Sequence, residues 1–66
     1  MGWDSPKIPS TDETKWAEVG QSGDKIYIEV YATHIEGGSV ILEMTYDQAR
    51  NFRDQINVAL YTVSED

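Results

Sequence analysis

From residue 25 to residue 34 the chain reads Lys-Ile-Tyr-Ile-Glu-Val-Tyr-Ala-Thr-His. Ile26, Ile28, Val30 and Ala32 take the even positions, and Tyr27, Glu29, Tyr31 and Thr33 the odd ones. A period of two marks a strand with one face buried. The same parity returns over residues 39–44, where Val40, Leu42 and Met44 alternate with Ile41 and Glu43. Directly opposed residues of an antiparallel pair point to one face, so paired numbers must sum to an even value. The connection must therefore hold an odd number of residues or carry a bulge. Glu36-Gly37-Gly38 fits as a three-residue loop, with one glycine in the left-handed conformation of a G1 bulge. A two-residue Gly37-Gly38 turn would set Leu42 opposite Thr33 and mix the faces.

The strand over residues 39–44 runs into a helix signal. Thr45-Tyr46-Asp47-Gln48 matches a capping box, and Asp47 suits the positive end of the helix dipole. Ala49, Phe52, Ile56, Ala59, Leu60 and Val63 follow at helical spacing and form one apolar stripe. Asp47–Arg50 and Arg50–Asp54 are spaced for surface ion pairs. Upstream, residues 14–19 (TKWAEV) read as a first strand, and Gly20 to Asp24 as the turn after it. In that strand Ala17 and Val19 are expected toward the helix and Trp16 beside the tyrosines; the reverse, with Trp16 in the core, fits nearly as well. Residues 1–13 hold both prolines and show almost no periodicity, so they read as a flexible tail. Its apolar Trp3 and Ile8 suggest docking on the domain or idle disorder, ahead of bait for a partner. The predicted architecture is α+β: a three-stranded antiparallel meander with one C-terminal helix on one face (β-β-β-α), residues 14–66 forming a single domain. Truncating Phe52 to Ala in such a core would cost about 3–5 kcal/mol.

A chain of 66 residues with no cysteine has few routes to stability beyond helix-on-sheet packing and self-association. A homodimer is the expected state. No apolar run approaches the roughly 20 residues of a membrane span, and residues 1–6 lack the order of a signal peptide. The expected location is cytoplasmic. The net charge of −7 disfavours direct contact with nucleic-acid phosphates and favours a partner with a basic surface.

Catalytic signals are absent from the pattern. His34 is the sole histidine and no convergent set of ligands accompanies it. The carboxylates form no calcium loop, Gly37-Gly38 lacks a phosphate-loop context, and no serine sits in a nucleophile elbow. No cofactor, metal or enzymatic activity is expected. What the pattern leaves over is apolar material off the core stripe. Tyr27, Tyr31 and Ile41, joined by Trp16, fall on the outward sheet face, while Val58 and Tyr61 project from the far side of the helix. Aromatic groups with polar tips suit protein interfaces.

The stretch VILEMTYDQARNFRDQI, residues 40–56, resembles the strand-to-helix end of small acidic accessory proteins of actinobacteria and their phages. In these a strand ending in Leu or Met leads into a Thr/Ser-x-x-Gln/Glu-Ala helix. Most have no assigned activity, so the resemblance implies a phage or accessory protein acting by binding and names no site residues. The expected function is a non-enzymatic protein–protein interaction module using Trp16, Tyr27, Tyr31, Ile41, Val58 or Tyr61. The alternative is an acidic nucleic-acid mimic that blocks a DNA- or RNA-binding protein through Glu18, Glu29 and Glu43.

Overall fold

The computed structural model describes Trp3, residues 5–34 and residues 36–64. Met1, Gly2 and Asp4, part of the predicted tail, lie outside the described residues, as do Ile35, Glu65 and Asp66. The elements are β1 (Ile8–Pro9), β2 (Lys15–Ser22), β3 (Lys25–Ala32), β4 (Ser39–Thr45) and α1 (Tyr46–Ser64). The class is α+β, with an antiparallel sheet in the order β1-β2-β3-β4 and one C-terminal helix.

The sheet has four strands, not the three that the alternation indicates. The extra strand lies within residues 1–13, paired as Ile8↔Ala17 and Pro9↔Trp16. Two residues are too short to show a period, and a proline is tolerated because this strand forms the sheet edge. Side chains hold the flanking segment. The Ser5 hydroxyl donates to the Val19 carbonyl at 2.6 Å and accepts from its amide at 3.2 Å. Asp12 accepts from the Thr14 amide and hydroxyl at 2.9 and 2.7 Å, closing the turn into β2.

Two boundaries also move. β2 continues through Gly20 to Ser22, leaving a two-residue turn at Gly23 and Asp24. The β3–β4 register is even, with Ile28↔Leu42 and Val30↔Val40, so the predicted face assignment holds. The connection is odd in length but occupies residues 33–37, not 36–38. The Ala32 amide donates to the Gly38 carbonyl at 3.0 Å, and pairing stops at that point. Gly37 and Gly38 have φ of 86° and 82°, values that side chains beyond glycine rarely adopt.

The capping box forms in full: the Gln48 amide donates to Thr45 Oγ1 at 3.1 Å, and the Thr45 amide to Gln48 Oε1 at 3.0 Å. The Tyr46 hydroxyl donates to the Gly23 carbonyl at 3.1 Å, tying the first helical turn to the β2–β3 turn. Arg50 pairs with Asp47, whereas Asp54 is held by Arg53 at 3.1 Å instead of by Arg50.

The helix is fixed at its start and lies open along the rest. Its stripe faces the even-numbered residues of β3 and β4, as the periodicity requires, yet the predicted core does not close. Ala32 and Met44 are the only buried apolar side chains among the described residues. The Cα radius of gyration is 13.5 Å, against about 10.8 Å for a compact domain of this length. The accessible surface is 5350 Å², against about 4,250 Å² for a folded monomer of this mass.

Candidate protein-binding surface

One face of the sheet is largely covered from within the chain. The cross-strand pairs Trp16↔Tyr31, Glu18↔Glu29 and Gly20↔Tyr27 line it. Trp16 therefore lies beside the tyrosines, stacked on Tyr31 with centroids 5.2 Å apart, and Lys7 Nζ sits 4.6 Å above its ring. Trp3 covers the other end, stacked on Tyr27 at 5.2 Å. Its indole fills the space that Gly20 leaves empty, and a Cβ at Gly20 would overlap the ring. A strand glycine rescued by an aromatic group is a known way to pin a sheet.

Between the stacks lie two carboxylates, directly opposed and each only 8% exposed. Opposed like charges repel, so both need donors, and Trp3 supplies two. Its amide donates to Glu18 Oε1 at 2.9 Å and its Nε1 to Glu29 Oε1 at 3.0 Å. Ser39 Oγ donates to Glu29 Oε2 at 2.5 Å. The Ser39 bond, followed by Tyr31 and Trp3, holds the Glu29 carboxyl below its ordinary value against the opposing effect of burial. The Tyr31 hydroxyl is pushed up to about 12, first by burial and then by Glu29 and Glu18. That hydroxyl makes no well-aligned hydrogen bond among the described residues, nor does Trp16 Nε1.

The opposite face is unsatisfied. Val30, Val40 and Leu42 stay exposed on the sheet, Val40 at 63%. On the helix stripe Phe52 and Ile56 are half-covered, and Leu60 and Val63 are 63% and 72% exposed. Two grooves flank the helix. One of about 260 Å³ is lined by Val19, Ile26, Ile28, Phe52, Arg53 and Ile56. The other, about 370 Å³, runs along β4 between Leu42 and Met44 below and Gln48, Asn51 and Gln55 above. On either flank of α1 they mark a partly open cleft between helix and sheet, mostly apolar toward β2 and mixed along β4, where Glu43 joins the lining.

Among the residues singled out from the sequence, Trp16, Tyr27 and Tyr31 share a face but are partly buried under Trp3 and Lys7. Ile41 lies on the same face and is exposed. Val58 and Tyr61 are exposed on the helix, apart from that group. Val30, Val40, Leu42, Leu60 and Val63 were absent from the site expected from sequence because their periodicity marks them as core; alternation reports a shared face but not what covers it. His34 is exposed in the β3–β4 connection. Among the described residues no three His, Asp or Glu side chains are grouped to hold a metal, and no helix is long and apolar enough to cross a membrane. Comparison of the chain with family models, with curated proteins and with solved structures finds no match in any of the three.

Proposed function

We propose that this protein is a non-enzymatic protein-interaction module whose working surface is the cleft between the helix and the even-numbered face of β3 and β4. The observation that carries the proposal is the exposure of side chains that alternation and the helix stripe assign to a core: Val40 and Leu42 on the sheet, Leu60 and Val63 on the helix. Large apolar side chains left open on faces patterned as core are what an interaction surface offers. The tyrosine face is the weaker candidate because Trp3 and Lys7 already occupy it. Action by binding also agrees with the likeness of residues 40–56 to accessory proteins of actinobacteria and phages.

The nucleic-acid mimic draws no comparable support. It requires Glu18, Glu29 and Glu43 displayed to solvent, and Glu18 and Glu29 are buried. A photo-crosslinking amino acid placed at position 60, on the exposed part of the helix stripe, tests the proposal against the same group at exposed position 13. Protein adducts formed from position 60 and not from position 13 are the expected result. Equal yields from both, or none from position 60, would overturn it.

A further inference from the structure

Resting on the interaction-module reading, we propose that the occupant of the cleft is a second copy of this chain, joined edge to edge through β4 about a two-fold axis at Leu42. Four observations lead there. The first is area: the surface exceeds that of a compact monomer by about 1,100 Å². Burying that excess on both copies removes about 2,200 Å², within the range of obligate homodimers.

The second is the contrast between the sheet edges. β1 is two residues long and contains Pro9, features that block further pairing. β4 is seven residues long, with neither proline nor lysine, and its outer edge is unpaired among the described residues. Such an edge is a template for another strand. Pairing about Leu42 keeps the even-numbered face of both copies on one side, so both helices share that side. It also sets Ile41 opposite Glu43, whereas centring on Glu43 would oppose two carboxylates.

The third is helix placement. α1 lies over the β3–β4 boundary, with grooves toward β2 on one side and along β4 on the other. With strands about 4.8 Å apart, the two-fold axis places the helices about 10 Å from each other, at the upper end of helix–helix packing distances of 8–10 Å. They run antiparallel, so the exposed C-terminal half of each lies beside the first turns of the other.

The fourth is charge. Arg50 and Arg53 line the flank of α1 away from the β4 edge, whereas Gln48, Asn51 and Gln55 line the flank that meets the second helix. An uncharged flank is what a chain of net charge −7 needs in order to meet itself. Glu43 of β4 also lines that groove, and the two-fold sets it opposite Ile41 and not opposite its own copy.

Sedimentation equilibrium of the full chain tests the inference. The expected mass is twice the 7.5 kDa of the chain, with tighter association as salt screens the repulsion between like-charged copies. Asn51→Asp/Gln55→Glu is expected to weaken association at least tenfold at low salt, with recovery at high salt. Thr11→Asp, exposed in the bend before β2 and outside both grooves, should leave it unchanged. Circular dichroism on each variant separates lost association from lost folding. A wild-type chain that stays at single-chain mass to millimolar concentration would overturn the dimer, as would equal effects of the two substitutions. In the monomer case a hydrophobic dye distinguishes the two readings. Strong dye binding leaves the interaction module standing without self-association, while no dye binding shows the cleft closed and overturns both.

Discussion

Trp3 and Gly20 decide how one face of the sheet is finished. The missing side chain at Gly20 makes the seat, and the indole that fills it brings two of the donors that the opposed Glu18 and Glu29 carboxylates need. Trp3→Ala is expected to destabilise the fold by about 1–2 kcal/mol through lost stacking and hydrogen bonds, read in a urea melt. Gly20→Ala should be costly with Trp3 present and nearly neutral in the Trp3→Ala background; additive costs would show that the two do not share a site. Two titrations follow from the same cluster. Glu29 has its pKa lowered from 4.5, so its contribution to stability is present above that value and is lost as pH falls through the folded pKa. Tyr31 is raised from 10.0 to about 12, so stability is intact below pH 10 and declines toward pH 12 as the unfolded chain ionises first. An NMR titration of the Tyr31 ring should find this late ionisation. In the sequence, alternation placed both glutamates on the tyrosine face, but nothing near residues 16–31 announced that a tryptophan 15 positions before Glu18 would cover them.

Among the elements, the junction of β4 and α1 was the most legible because its signals are local. A hydroxyl cap and a glutamine three residues on satisfy each other's backbone partners whatever the rest of the chain does. Thr45→Ala is expected to lower stability by about 1 kcal/mol, measured in thermal or urea unfolding; a neutral result would mean that the cap is dispensable. Parity in β3 and β4 correctly required an odd connection, but its position depended on where pairing stopped. Ala32 meets Gly38 directly, so residues 33 and 34 leave the strand. β1 was hidden because two residues carry no period and Pro9 argues against a strand except at an edge. Phe52 shows the cost of equating periodicity with burial. It is 43% exposed, so Phe52→Ala should cost a dilute monomer nearer 1–2 kcal/mol than the value for a closed core.

At the scale of the whole molecule, the pattern that predicts a core describes a surface instead. Fold class, helix stripe and face assignment follow from the residues themselves, since periodicity fixes which side chains point together. Whether those side chains meet a partner within the chain depends on how a 19-residue helix anchored at one end lies on the sheet, and no spacing encodes that. The open cleft is central to the reading of this protein as one that works by association, with a second copy as its occupant. Isotope-filtered NMR on an equal mixture of labelled and unlabelled chains tests that claim most directly. The expected result is a set of interchain NOEs centred on the Leu42 methyl groups and extending to the Gln55 flank of α1. Their absence, with every NOE to Leu42 arising within one chain, would contradict it.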